Sequence, residues 1–349
     1  MRVYEERAAD WREARPARFL DEVQSLVATI EEGLPVADLG CGAGLHLPYL
    51  PRPTVALDAA LAMVRLAREA APDAWPMQAD LEALPFRRGA LGGGWARASY
   101  LHVRPERLPA ALAELHHALA VGAPAHLLLL AGEDSGELPD DDFAGRWFAA
   151  WDPDALRDVV VGAGFDVLRC ERATDSHWIH VRVVRARTLP DTVGPGMRVL
   201  VCGLNPSVYS ADAGVGFARP GNRFWPAALA ARLVTVDRNP RAALAAGIGM
   251  TDLVKRATPR ADELTRDEYR AGVARVARLV EWLQPGAVCF VGLAGWRAAV
   301  DRKAVAGEQP DGIGGRPAYV MPSTSGLNAR VPPSELADHL RAALSLANS

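Results

Sequence analysis

No two of the four cysteines stand close enough to pair locally: Cys41, Cys170, Cys202 and Cys289 occur singly, with no CxxC, and three of them lie in apolar strand-like runs. A disulfide framework or a cysteine-held metal cluster is therefore not expected. No apolar run approaches the roughly 18 residues needed to span a bilayer. The opening stretch "MRVYEERAADWREARPARF" carries acidic residues and lacks the apolar core of a secretory signal. A cytoplasmic protein with no membrane partner is the expectation. Lysine is nearly missing too, with only Lys255 and Lys303, so the positive charge is almost all arginine. What is present is a chain of 349 residues, 50% hydrophobic and 23% charged, the composition of a globular protein. That length exceeds the usual single-domain range of about 100 to 150 residues, and two domains are expected.

The net charge of −3 conceals an asymmetry. Residues 1–185 hold 19 Lys/Arg against 28 Asp/Glu, a balance of −9, whereas residues 186–349 hold 20 against 14, a balance of +6. A basic half suits a phosphate-backbone partner, although charge alone does not say where the cations stand.

In the first half, an N-terminal helix is predicted before "LPVADLGCGAGLHLPYL", where an apolar strand runs into Asp38, Gly40, Gly42 and Gly44. Glycines at such a turn let the backbone approach a ligand, and a helix following it would present its N-terminus to polar groups. About twenty residues on, the strand "TVALD" ends at Asp58, placed to accept ribose hydroxyls. A second acidic strand end follows in "PMQADLEALPF", at Asp80. His116 and His117 are adjacent on a predicted helix and point about 100° apart, a poor chelating geometry. With His102 they read as packed or solvated side chains.

The order "VADLGCGAG", "LDAALAMVRLAR", "QADLEALPF" resembles the class I S-adenosylmethionine-dependent methyltransferases, over about residues 15 to 185. The resemblance implies a Rossmann-like, mostly parallel sheet with an antiparallel edge, and S-adenosylmethionine as cofactor. It places Asp38, Gly40, Gly42 and Gly44 at the cofactor, Asp58 at its ribose and Asp80 at its adenine. Two segments depart from the family: "GALGGGWARASYLHV" stands where an acidic "FD" pair is usual, and "AVGAPA" where "KPGG" is usual. The (N/D)PP(Y/F) and "PC" motifs of DNA methyltransferases are missing from this half, so it is not read as one of those enzymes.

Residues 186–198, "ARTLPDTVGPGMR", are rich in Gly and Pro and are expected to be a linker. A new α/β domain is predicted over 199–349. "MRVLVCGLN" is a buried strand, "GNRFWPAALAARL" opens a helix with Asn222 as cap, and "RDEYRAGVARVARLVEWLQ" is an amphipathic helix. "AVCFVGL" and "PAYVMPS" are further strands, and "PPSELADHLRAALSL" is a last helix with Pro at its start. Two irregular loops, "GLNPS" and "MPSTSGLNAR", follow strands of what should be a parallel sheet, at the carboxyl ends where ligands bind.

"GLNPS…SADAGVGFARPGNRFW" together with "MPSTSGLNAR" resembles the mismatch-specific uracil/thymine-DNA glycosylases, from about Val193 onward. That family implies a uracil-DNA-glycosylase-superfamily α/β/α fold and hydrolysis of the glycosidic bond to uracil, with thymine or damaged pyrimidines as further substrates, in mismatched duplex DNA. It assigns Asn205 to the attacking water and Phe217 to stacking on the flipped base. Gly203, Leu204 and Ser210 fall to the base pocket, with backbone N–H groups near Leu204 and Ser210 on the base carbonyls. Ser325, Gly326 and Leu327 fall to a wedge loop and Arg330 to a phosphate or the remaining strand. Ser207 stands where the motif has glycine, and Tyr209 where one branch has serine, which would alter pocket size or selectivity. The expected enzyme is monofunctional, with no lysine at a Schiff-base position and no metal, and acts in the bacterial cytoplasm or nucleoid. Two alternatives remain: a methyltransferase acting on a small molecule or nucleic acid, with the second half as a DNA-targeting module, and a first half that is a scaffold.

Overall fold

A computed structural model describes residues 2–138, 140–174, 176–328 and 330–348. The chain divides into two compact units, Met1–Val161 with Phe165–Ala186, and Gly162–Gly164 with Arg187–Ser349. The Gly- and Pro-rich segment predicted as a linker is not an open tether. Thr188, Leu189, Asp191, Val193 and Met197 are buried, and Thr192 pairs with Met250 in an antiparallel bridge. From Arg187 on it is part of the second unit: its turn-forming residues alternate with apolar ones that reach a core.

The first unit begins with the helices α1 (Arg2–Glu6), α2 (Ala8–Ala14) and α3 (Leu20–Val27). Strands β1 (Val36–Leu39), β2 (Thr54–Asp58), β3 (Trp75–Gln78), β4 (Gly93–Arg97) and β5 (Pro124–Ala131) follow, with α4 (Leu61–Ala70) after β2 and α5 (Leu108–Ala118) after β4. The unit ends with β6 (Ala150–Trp151), α6 (Pro153–Gly162), β7 (Phe165–Arg172) and β8 (Trp178–Arg185). The sheet order is β3-β2-β1-β4-β5-β8-β7, with the short β6 beside β5. The first five strands are mutually parallel, and β8 is antiparallel to both its neighbours. The antiparallel strand thus stands one place in from the edge, with β7 outside it. β1 is buried along its whole length, as a central strand covered on both faces must be.

The glycine turn after β1 does not open the predicted helix. A single 3-10 turn, Leu47–Tyr49, takes its place, because Pro48, Pro51 and Pro53 remove backbone donors that a helix would need. The face left open is covered by the N-terminal helices: Tyr4 and Trp11 pack with Ala8, Ala43, Ala60 and Met63.

The second unit runs β9 (Val199–Gly203), α7 (Val208–Ala213), α8 (Phe224–Ala230), α9 (Pro240–Ala245), β10 (Ile248–Asp252), α10 (Arg266–Leu283) and β11 (Ala287–Val291). It closes with α11 (Leu293–Ala299), β12 (Gly307–Ile313), β13 (Arg316–Met321) and α12 (Pro333–Leu346). Its sheet order is β10-β9-β11-β13-β12, parallel except for the edge strand β12. Alternation along β9 serves two cores. Val199 and Val201 face α8 and α12 with Phe224, Trp225, Leu336 and Leu340, and Leu200 and Cys202 face the layer of Val276, Val280 and Trp296. Fully burying aromatics such as Phe224 and Trp225 stabilises by about 1.5–3 kcal/mol each. A capping box starts α10: Glu268 N–H donates to the Thr265 hydroxyl, and Thr265 N–H to the Glu268 carboxylate. All four cysteines are buried and unpaired.

Candidate functional site

Each sheet ends in a cavity at the carboxyl ends of its parallel strands. In the first unit the cavity has a volume of about 540 Å³. Its floor is the turn after β1. Gly40 (φ 79°) and Gly42 (φ 52°) occupy left-handed backbone, and a Cβ on Gly40 would collide with Ser99. Both glycines line the cavity. Gly44 does not. A Cβ there would lie 2.9 Å from the Ala67 backbone and 2.9 Å from Leu47, so Gly44 lets α4 approach the turn rather than facing a ligand.

Asp58 and Asp80 also line this cavity. The two oxygens of Asp58 accept from Gly42 N–H (2.9 Å) and Ala60 N–H (2.9 Å), which ties the end of β2 to the glycine turn. Each oxygen keeps a lone pair for a hydroxyl donor. Burial nonetheless raises the Asp58 pKa. Asp80 accepts from Glu82 N–H at 2.9 Å.

Two groups on the cavity wall each keep one buried polar atom without a hydrogen bond. Asp38 is 2% exposed, its Oδ2 has no hydrogen bond, and burial, with the nearby Asp58 charge, pushes its pKa up to about 8. Arg97, at the end of the neighbouring β4 where the family pattern is acidic, has a buried Nε with no partner. Burial lowers its pKa, and the cations Arg18 and Arg15 lower it further. A buried acid and a guanidinium, each with one polar atom unbonded, are complementary to an amino-acid group, so the donor set fits the end of an amino-acid-bearing cofactor. His102 is not a free base: its Nδ1 and Nε2 lie 2.8 Å from Trp147 O and the Tyr4 hydroxyl, and burial lowers its pKa to about 4. His116 is buried against Ala186 O at 3.1 Å.

The second unit's cavity, about 470 Å³, lies between the loops after β9, β10 and β13. Asn205 stands in the loop after β9. Its Nδ2 donates to Thr258 Oγ1 (2.8 Å) and to Arg256 O (3.0 Å). The amide is thereby fixed, and Oδ1 remains as an acceptor toward the cavity that Asn205 lines. The segment "KRATP" after β10 therefore holds Asn205, a role the sequence did not disclose. Its only signal was position, a loop at the carboxyl end of a strand next to β9. Beneath it Lys255 and Arg275 are both ion-paired with the buried Asp191, at 2.7 and 2.8 Å.

Phe217 has φ 58°, a left-handed conformation costly for a bulky residue, held by its surroundings. One face of its ring stacks on Phe224 with centroids 4.2 Å apart, and the next residue, Trp225, donates its indole N–H to Gly216 O at 2.8 Å. "RFW" is thus the brace of Phe217, which lines the cavity. A Cβ on Gly203 would stand 2.5 Å from Asp252 Oδ1 and 3.3 Å from Phe217 Cζ, so glycine there admits both groups.

The Ser210 N–H, predicted to be available to a base carbonyl, is taken: it donates to Ser207 Oγ at 3.1 Å, which caps α7. The departure from glycine at position 207 supplies that cap. Leu204 and Ser210 do line the cavity, but Tyr209 is 52% exposed and outside its lining. Asn222 caps α8 from one position further out than predicted, its Oδ1 accepting from Phe224 N–H at 2.9 Å.

Leu327 is 92% exposed, at the mouth of the cavity. Its loop is clamped by Arg223, whose guanidinium donates to Asn328 O (2.6 Å), Val331 O (2.5 Å) and Ser325 O (3.4 Å). A Cβ on Gly326 would meet Gly221 O at 2.9 Å, so the loop crosses too closely for any side chain. Arg330 is exposed, and Arg219 is exposed on the cavity rim.

The uracil DNA glycosylase superfamily model matches residues 190–344, and a methyltransferase domain model matches residues 36–122. The chain therefore carries a methyltransferase domain in its first half and a uracil-DNA-glycosylase-superfamily domain in its second. Solved structures similar to the first half include an S-adenosylmethionine-dependent methyltransferase from Mesorhizobium loti, 18% identical, over 47% of this chain and 96% of that one, with TM-score 0.42. The 1,6-didemethyltoxoflavin-N1-methyltransferase of Burkholderia thailandensis is 17% identical, over 52% of this chain and 84% of that one, with TM-score 0.43. No helix of the described residues is long and apolar enough to cross a membrane.

Proposed function

We propose that the second unit is a monofunctional DNA glycosylase that removes uracil, with thymine or damaged pyrimidines as further substrates, from mismatched duplex DNA. The observation that carries this is Asn205: its amide N–H₂ is tied to Thr258 and Arg256, leaving one fixed acceptor beside the aromatic wall of Phe217. In the reaction the bond from the deoxyribose C1′ to N1 breaks and N1 keeps the electron pair. A water held by Asn205 Oδ1 bonds to C1′, its proton passes to solvent, and the base anion takes up a proton. Asn205 orients the water but cannot take its proton, so turnover is slower than with a carboxylate in that place. The everted base lies against the free face of Phe217, and the exposed Leu327 fills the gap left in the stack. Arg330 and Arg219 supply the phosphate contacts. Lys255 is held by Asp191, which agrees with hydrolysis rather than attack by an amine. Incubation with a G·U duplex followed by alkali tests this: free uracil and a break at the former uracil are expected, and intact strands would refute it.

A second reading concerns the first unit and rests on Asp38 and Arg97. These hold the amino-acid end of S-adenosylmethionine, whose sulfonium supplies an electrophilic methyl group, while Asp58 takes the ribose hydroxyls and Asp80 the adenine. Calorimetric titration with S-adenosylmethionine should show binding that Asp58→Ala abolishes. A lack of binding would favour a scaffold.

A further inference from the structure

Three charged side chains lie buried beneath the second cavity. Asp191, in the segment before β9, accepts from Thr251 Oγ1 (2.6 Å) and Lys255 Nζ (2.7 Å) at one oxygen and from Arg275 Nη1 (2.8 Å) at the other. The side chains of Asp191, Arg275 and Lys255 are 3%, 7% and 10% exposed. Burial puts them out of reach of a DNA phosphate, and buried charge is costly unless every partner is kept. Thr188, three residues before Asp191, donates its hydroxyl to the Lys255 carbonyl. Lys255 is thus gripped at its side chain and its main chain by one short segment. Within that segment Leu189 lines the cavity, where a Cβ on Gly216 would meet it at 3.9 Å.

We propose that Thr188 and Asp191 are positioning residues for Asn205. Through Lys255 they fix the loop after β10, whose Arg256 carbonyl and Thr258 hydroxyl accept from the Asn205 amide. The proposal rests on the glycosylase reading above and adds that residues 188–191, ahead of the first strand of the second sheet, belong to its working site.

The path from this segment to Asn205 is short. Leu253 N–H and Val254 N–H donate to Gly203 O and Leu204 O at 2.9 Å each, and Thr258 N–H donates to Pro206 O at 3.2 Å. Between those bonds Lys255 is held by Asp191 and Thr188, and Arg256 by Glu268 and the Glu263 carbonyl on the solvent side. Arg275 extends the same network to the start of the loop, donating to Asp252 O at 2.8 Å. The bond from Asn205 to Arg256 O is 3.0 Å long, so a shift of Lys255 passes through one peptide unit to the amide. An amide free to turn presents N–H₂ in place of Oδ1 to the water. Misplacing a reacting group by about 1 Å can cost on the order of a hundredfold in rate.

The test is a double-mutant cycle on single-turnover excision from a G·U duplex by the full chain at saturating enzyme, with the duplex Kd measured alongside. Asp191→Asn should lower the rate roughly ten- to a hundredfold. Thr188→Val, which keeps every charge, should lower it roughly three- to tenfold, and both should leave the duplex Kd within about twofold of wild type. Because both changes act through Asn205, each should cost less than about twofold in an Asn205→Ala background. Losses as large without Asn205 as with it overturn the proposal, as does either variant excising at the wild-type rate. Should Asp191→Asn not fold, Thr188→Val decides alone by the same comparisons. No excision by wild type refutes the glycosylase reading itself, whereas wild-type excision with indifferent variants refutes only this inference.

Discussion

The two cavities occupy the same place in their respective sheets, yet they leave different chemistry available. In the first unit the motif's hydrogen-bonding groups largely hold the protein together, with Asp58 fastened to Gly42 and Ala60. What stays unsatisfied there is one oxygen of the buried acid Asp38 and the Nε of the cation Arg97. In the second unit every nearby cation of the floor is matched: Lys255 and Arg275 by Asp191, and Arg256 by Glu268. What stays unsatisfied is one amide oxygen and one aromatic face. The two strand-end cavities are thus distinguished by which groups the fold leaves over, more than by which motif residues are present.

The contrast can be broken at defined points. The largest effect is expected at Asn205: Asn205→Ala removes the fixed amide acceptor proposed to hold the water and should lower single-turnover excision by on the order of a hundredfold or more, read by the alkali assay. Next, Asp38→Asn should weaken S-adenosylmethionine binding roughly ten- to a hundredfold by calorimetry, because a charged hydrogen bond is lost. The same change should stabilise the ligand-free chain at high pH. Asp38 has a folded pKa near 8, above its unfolded value, so its ionised form opposes folding and stability declines as pH rises from about 4 to 8. Asn removes that part of the decline, and melting curves at pH 5 and pH 8 should lie closer together in the variant than in wild type. Gly44→Ala places a Cβ against α4 at φ 80° and should cost about 1–3 kcal/mol of stability in denaturant unfolding, with little effect on the affinity of the folded protein for the cofactor. Leu327→Ala should slow excision about tenfold from A·U and less from G·U, where the pair opens more easily. Tyr209→Ser should change either rate less than twofold, since the ring lies outside the cavity.

Much of the architecture is legible in the sequence because its strands are short apolar runs ended by Gly, Asp or Asn. Thus "VADLG", "VALD" and "VLVCGLN" become β1, β2 and β9, and the helix of α10 follows from its period and capping box. The missing helix after β1 was legible as well, in three prolines that the glycine pattern outweighed. Elements set by contacts distant in sequence were not. That Gly44 packs against α4, that Ser207 takes the Ser210 N–H, and that residues 187–198 enter a core all depend on partners brought close by folding. In the second cavity, Asn205, Phe217 and Leu327 were visible through their motifs. Thr258, Arg223 and Asp191 were not: each acts through backbone carbonyls or another side chain, and Asp191 stands in a stretch that reads as a linker until Lys255 and Arg275 are seen around it.

The central claim is tested most directly by incubating wild type and Asn205→Ala side by side with G·U, G·T, A·U and single-stranded uracil substrates, and scoring alkali-labile breaks in single turnover. The account predicts breaks from wild type, fastest at G·U, and a loss of on the order of a hundredfold in the variant. Equal breakage by the two proteins, or none from wild type on any substrate, would contradict it.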